Sequence, residues 1–278
     1  MTRSLSGSFV PGSKIAEPVR ARDTINTGPR FSEADAVRLN RMFRGADTVE
    51  MLRSVITDGL AGDIAVVSSM GAESAVLLHL VAQIDPTLPV LFLDTGKHFD
   101  ETLAYRDELV KRLGLTGLRI LTPDAATLAD RDESGLRWSY DPDGCCEIRK
   151  VQPLAAALAE FDASLTGRKA FQSSTRSSLP RFEVDNSDAQ GRLKINPLID
   201  WKADDIAAYF AEHDLPPHPL VADGYPSIGC SPCTSKVAAG EDSRSGRWKG
   251  WDKTECGIHS PVQPGPDGEL PPGFDPVF

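Results

Sequence analysis

The chain has 278 residues, enough to bury a full core as one large domain or as one domain with appendages. Forty acidic against thirty basic residues leave a formal net charge of −10, which repels nucleic acid over most of the surface and obliges any anionic ligand to find a local basic pocket. Its five cysteines cannot all be consumed in internal disulfides. The first twenty residues lack the apolar stretch of a secretory leader and no later run is long enough to span a membrane, so the chain reads as soluble and cytoplasmic. In that compartment thiols stay reduced, and grouped cysteines are metal ligands or catalysts rather than staples.

Residues 1–30 are polar, mixed in charge and broken by Gly and Pro, which predicts a poorly ordered arm. Helical periodicity follows over 32–44 and 47–60, then a strand at 64–68, a helix at 72–84, a strand at 89–94, a helix at 99–114 and a strand at 118–122. Strands apolar throughout and separated by amphipathic helices indicate a parallel sheet covered on both faces, hence a doubly wound, mostly parallel α/β fold. Beyond it the pattern predicts a helix from Cys145 to Glu160, strands at 163–167 and 193–198, and a helix at 202–213. From Leu215 onward the chain is rich in Pro, Gly and Cys, and its last 18 residues have too much Pro and Gly for regular structure.

The first strand runs into SSMGAES, Ser68 to Ser74, a turn of small and hydroxylated residues that opens a helix. Free backbone N–H groups and the positive end of the helix dipole suit a phosphate or sulfate there, at Ser68, Ser69, Gly71 and Ser74. A plain serine-capped turn would read the same way. The second strand ends in LDTG, Leu93 to Gly96 (Leu93, Asp94, Thr95, Gly96), at the sheet edge where open α/β folds bind ligands, although such a turn can merely reverse the chain. His98 just after it reads as a surface histidine or a cap.

Four cysteines, the adjacent Cys145 and Cys146 and the later pair Cys230 and Cys233 of CSPC, suit tetrahedral zinc or an iron-sulfur cluster. Vicinal cysteines have Cα atoms only about 3.8 Å apart, which fits a cluster offering each sulfur its own iron better than a single ion. Lys150 stands four residues after Cys146, one helical turn on, either near that centre or snorkelling to solvent. Arg168, Lys169 and Arg176 in one loop, and Arg244, Arg247 and Lys249 in another, are candidates for binding charged oxygens. A fifth cysteine, Cys256, stands alone in ECGIH near the C-terminus.

Taken in order, SSMGAES, LDTG, the paired cysteines with CSPC, the arginine-rich loop after TGRK, and ECGIH resemble the assimilatory adenylyl-sulfate reductases of the thioredoxin-dependent, iron-sulfur type, over roughly residues 47–260. The resemblance implies an adenine nucleotide alpha hydrolase-like fold. It divides the chain into the arm (1–30), a nucleotide- and cluster-binding reductase domain (31–243) and a mobile segment (244–278) carrying the catalytic cysteine. It further implies adenosine 5′-phosphosulfate as substrate, its phosphosulfate on the SSMGAES turn and its nucleoside along Leu93 to Gly96. Cys145, Cys146, Cys230 and Cys233 would hold one 4Fe-4S cluster per chain, with Lys150 between cluster and substrate. Arg176, Arg244 and Arg247 would clamp the anionic end, with Arg168 beside them. Cys256 would attack the sulfate sulfur, His259 and the arginines favouring its thiolate, and reduced thioredoxin or a glutaredoxin-like donor would release sulfite. Where some members carry a histidine before the paired cysteines, this chain has Pro142 and Asp143. Rival readings are a reductase of the 3′-phosphorylated nucleotide or of both, a nucleotide-binding iron-sulfur sensor, and an ATP pyrophosphatase. Homo-oligomerisation is compatible with each, and no nucleic acid or membrane partner is expected.

Overall fold

The computed structural model describes residues 30–173, 176–185 and 190–258. The readings for residues 1–29 and for the tail beyond Ile258, His259 included, lie outside them. In chain order the elements are α1 (Glu33–Met42), α2 (Thr48–Thr57), β1 (Ile64–Ser68), α3 (Ser74–Ala82), β2 (Val90–Leu93), α4 (Asp100–Leu113), β3 (Leu118–Leu121), α5 (Ala125–Arg131), α6 (Pro142–Cys146), α7 (Gln152–Leu158), β4 (Ala163–Thr166), β5 (Phe182–Val184), β6 (Leu193–Ile195), α8 (Ala203–Glu212) and α9 (Pro219–Ala222). The strands form one sheet in the order β3-β2-β1-β4-β6-β5, parallel except for β5 against β6.

Both faces of this sheet are apolar, as the unbroken hydrophobic strands require. Ile64 and Val66 of β1 and Val90 and Phe92 of β2 join the larger core with α3, whereas Ala65, Leu91 and Leu93 turn the opposite way onto Leu154 and Leu158 of α7. The two-residue period of a strand thus builds two cores from one sheet. α3 is apolar all round, with Leu78 wholly buried, and burying such a leucine contributes about 1.5–3 kcal/mol. Helix ends follow their capping residues: Ser32 and Asp35 make a reciprocal box at α1, Asp47 accepts from Val49 N–H (2.8 Å) at α2, and Gly114 ends α4 in the left-handed region at φ 65°. At the β3 edge Arg119 pairs with Glu160 and lies over Phe161, keeping that strand from pairing further.

The single helix expected from Cys145 to Glu160 is instead three pieces: α6, a π-helical turn from Glu147 to Val151, and α7. Pro153 has no N–H to return to the carbonyl of Arg149, so the ordinary ladder cannot continue there and the backbone widens. The wide turn holds Lys150 and alters the simple one-turn relation between Lys150 and Cys146 that regular helix geometry implies.

Candidate active site

β1 and β4 are neighbours in the sheet, but β1's other neighbour precedes β4 in the chain, so the crossovers leave in opposite directions and a crevice opens at the strands' carboxyl ends. A cleft of about 220 Å3 lies there. Ser68, Ser69, Gly71 and Ser74 line it from the end of β1, Leu93, Thr95 and His98 from the end of β2, and Arg168 and Lys169 from the end of β4. Lys150, Arg176, Cys230, Arg244, Arg247, Glu255 and Cys256 complete the wall.

The SSMGAES turn is locally self-supported. Ser68 Oγ accepts from Met70 N–H (3.2 Å), Ser74 Oγ accepts from Gly71 N–H (2.9 Å), and Met70 takes φ 48°. Glu73, at the N-cap of α3, makes no side-chain cap, so the serine cap of the plain reading is absent and the positive helix end is left to the cleft. Glu73 instead accepts from Lys169 Nζ (2.8 Å) and Gln172 Nε2 (2.7 Å), tying this turn to the loop after β4.

LDTG divides its roles. Leu93 and Thr95 face the cleft; Asp94 Oδ1 accepts from Gly96 N–H (3.0 Å), closing a turn that Gly96 permits at φ 64°, and neither Asp94 nor Gly96 lines the cleft. His98 is neither a surface residue nor a cap. It stacks on Phe92, its Nε2 donates to Leu93 O (2.7 Å), and burial holds the imidazole below its ordinary range, leaving Nδ1 a buried acceptor without a partner among the described residues.

The basic residues differ sharply in how committed they are. Arg168 is buried and spent on Glu183, Thr166 and Asn196, and Lys169 on Glu73. Arg176 makes a bidentate pair with Glu255 (2.8 Å twice), which Arg244 joins at 3.3 Å. Arg247 has no carboxylate partner among the described residues; it lies 4.4 Å over the Trp248 ring with Nε unpaired. Gly229 makes that seat possible, since a Cβ there would collide with the Arg247 guanidinium. Lys249 is exposed and outside the cleft.

Behind the cleft, Cys145, Cys146, Cys230 and Cys233 line one small cavity together with Lys97, Arg149 and Lys150, and all four are free of disulfides. Among the described residues no group of three or more His, Cys, Asp or Glu is arranged to hold a metal ion. Burial pushes the Cys145 thiol up to about 11 and Cys146 to about 12. Cys230 goes the other way: burial opposes ionisation, but Lys150, a hydrogen bond with Thr95 Oγ1 (3.3 Å) and Arg247 outweigh it. Burial likewise works against the Lys150 ammonium, and the thiolate charges of Cys230, Cys256 and Cys146 reverse that and hold it above its usual range. Lys150 and Cys230 belong to the walls of both cavities.

Sequence reasoning passed over three groups that hold this arrangement. Arg149 donates to Thr95 O (2.8 Å) and pairs with the buried Asp132 (2.6 Å), locking the π-helical turn to LDTG. Trp248 donates its backbone N–H to Cys233 O (3.0 Å) and buries an indole N–H that has no acceptor among the described residues. Glu255 was in view only as the neighbour of Cys256. No local signal marks Asp132 or Trp248, whereas the arginine following the paired cysteines sits in plain sight beside Lys150.

The fold is that of an α/β protein, and its switch-point cleft, lined by an uncapped helix end, cations and a thiol, has the chemistry to suit an anionic ligand. The chain matches the phosphoadenosine phosphosulfate reductase domain over residues 63–236 and belongs to that family of reductases. Proteins named adenosine 5′-phosphosulfate reductase from Mesorhizobium japonicum and Chelativorans sp. are 49% and 54% identical to it, over 88% and 72% of this chain and 94% and 80% of their own lengths. A crystal structure of phosphoadenylyl-sulfate reductase from Candida auris, a phosphate complex, is 28% identical with a TM-score of 0.62, covering 74% of this chain and 98% of that one. The resemblance drawn from the motifs and the α/β fold expected with it are both borne out.

Proposed function

We propose that the protein reduces adenosine 5′-phosphosulfate to sulfite and AMP, with thioredoxin or a similar dithiol protein as donor. The observation that carries this reading is Cys256 in the same cleft wall as Arg247 and Lys150, two cations without a carboxylate partner among the described residues. The phosphosulfate lies against the SSMGAES turn, where backbone N–H groups and the α3 terminus complement its charge. The Cys256 thiolate attacks the sulfate sulfur; an S–S bond forms and the S–O bond to AMP breaks, its electron pair leaving on the phosphate oxygen. Lys150 and Arg247 neutralise the charge gathering on the two groups as they part. The cysteine S-sulfonate is then attacked at Cys256 Sγ by a thiolate of the donor, expelling sulfite; the donor's second thiol resolves the mixed disulfide, so two electrons pass in all.

Cys256 meets first the buried ligand and then a protein, so the stretch that carries it moves during the cycle. The donor set of the rear cavity fits a 4Fe-4S cluster: four disulfide-free thiols line it with Lys97, Arg149 and Lys150, and no carboxylate among the described residues lines it with them. Bound there, such a cluster supplies local charge that tunes Lys150. The identity of 40–54% to proteins named for the unphosphorylated nucleotide, against 28% to the reductase of the 3′-phosphorylated one, favours the former substrate. The product is sulfite for assimilation toward cysteine, in the cytoplasm; among the described residues no helix is long and apolar enough to cross a membrane.

Intact mass spectrometry of the reduced protein after incubation with adenosine 5′-phosphosulfate and no donor tests the scheme. One SO3 gained at Cys256 and discharged as sulfite by thioredoxin is expected. No adduct with this nucleotide, but one with its 3′-phosphorylated form, transfers the activity to that substrate; none with either overturns the reading.

A further inference from the structure

Glu255 precedes the attacking cysteine and, among the described residues, is the one carboxylate that two of the cleft's arginines share. Arg176 grips it with Nε and Nη2, both at 2.8 Å, and Arg244 reaches the same carboxylate at 3.3 Å and the carbonyl of Thr254 at 2.7 Å. The side chains are 11%, 16% and 21% exposed for Arg176, Arg244 and Glu255, so the pair lies mostly out of water, where a forked, charge-assisted contact is stronger than a surface ion pair. On the other side of Thr254, Lys253 pairs with Asp143, at the start of the helix that carries the paired cysteines. The stretch just before Cys256 is thus pinned by clasps of opposite polarity to two different parts of the domain. Two arginines given to Glu255 are also two arginines that the ligand does not meet unopposed.

We propose that Glu255 is a positioning residue: its carboxylate docks Cys256 in the cleft by occupying Arg176 and Arg244, and its release lets the thiol leave. The inference rests on the reading of Cys256 as the nucleophile. It makes seating of the thiol an electrostatic equilibrium, sensitive to salt and to any anion that competes for the same guanidinium groups. A sulfonate formed on Cys256 moves the thiolate's negative charge outward onto three acceptor oxygens that compete with the carboxylate for the same guanidinium groups, which weakens the clasp at the step when the thiol must meet its donor.

The test measures alkylation of Cys256 by iodoacetamide in the reduced, full-length protein without substrate, mapped by peptide mass spectrometry. Rates are taken from pH profiles extrapolated to the fully ionised thiol, so that a change in acidity does not enter. In the wild type, labelling should be slow at low salt and accelerate several-fold at high salt. Glu255→Gln should label roughly fivefold faster at low salt and lose most of the salt dependence, and Glu255→Asp should fall between. Arg244→Gln should accelerate labelling in the wild-type background and much less in Glu255→Gln, where only its bond to Thr254 O is left to lose. Wild-type rate and salt dependence in Glu255→Gln, or an undiminished effect of Arg244→Gln in that background, would overturn the proposal. Neither substrate nor turnover enters the measurement, so a chain that forms no sulfonate adduct can still pass it, and one that does can fail it.

Discussion

The parallel sheet and the C-terminal segment build opposite walls of one cleft by opposite means. Around β1, β2 and β4 the cohesion is apolar: Val66, Leu78, Leu91, Phe92 and Leu165 are fully buried and set the strand ends rigidly. The segment from Ser243 to Ile258 has little of this. Beyond Trp248, the backbone bonds of Gly246 and Trp248 to Ser235 and Cys233, and the contact of Ile258 with the smaller core, it is held to the domain by ion pairs with Arg176 and Asp143, and Arg244 braces Glu255 from within the segment. Apolar packing is insensitive to a single added charge, whereas an ion pair answers to salt, pH and competing anions. A scaffold that must not move and a thiol that must are accordingly built from different interactions.

Cutting each wall separately should separate chemistry from stability. Cys256→Ser should lower sulfite release on the order of 10^4-fold or more while thermal unfolding and AMP binding stay as in the wild type, since a hydroxyl replaces the nucleophile without disturbing the clasps. A large drop in unfolding temperature would mean that the segment shares in the core. In the sheet layer, Leu80→Ala, in the core and away from the cleft wall, should cost about 2–5 kcal/mol in denaturant titration and leave turnover per folded molecule unchanged. Weakened turnover in fully folded protein would show the scaffold to be less rigid than its packing implies.

The smallest effect probes the scaffold where it is polar. His218 is buried between Tyr105 and Thr102, and burial lowers its pKa to about 4. A histidine kept neutral on folding stabilises the fold fully above its unfolded pKa of about 6.5, and that contribution, up to about 3 kcal/mol, is lost as pH falls from there through 4. Stability measured across that window should fall less in His218→Gln than in the wild type; identical slopes would remove His218 as the cause.

Much of the sheet was legible because each strand and helix announces itself within a dozen residues. The run IAVVS is apolar on both faces and SEADAVRLNRMFR carries its own capping residues, so neither needed a distant partner to be read. β5 was not legible: three residues at a sheet edge have no periodicity to speak of, and they pair with β6 only because the loop after β4 returns them there. The π-helical turn escaped for a related reason. Pro153 shows that a regular helix must yield near Arg149, but whether it bends, ends or widens depends on distant anchors, here Asp132 and Thr95 O, which accept from the Arg149 side chain.

The sequence by itself determined the fold class, the order of the motifs and the cysteines that group together, because these follow from local pattern and residue chemistry. Only the tertiary structure decided how the cations were assigned. Arg168 and Lys169 are spent on Glu183 and Glu73, Arg176 and Arg244 hold Glu255, and Arg247 stands without a carboxylate among the described residues. The reason is physical: a charge finds its partner through space, across 96 residues for Lys169 and Glu73 and 110 for Lys253 and Asp143, and chain order carries no record of which loops the fold will bring within 3 Å.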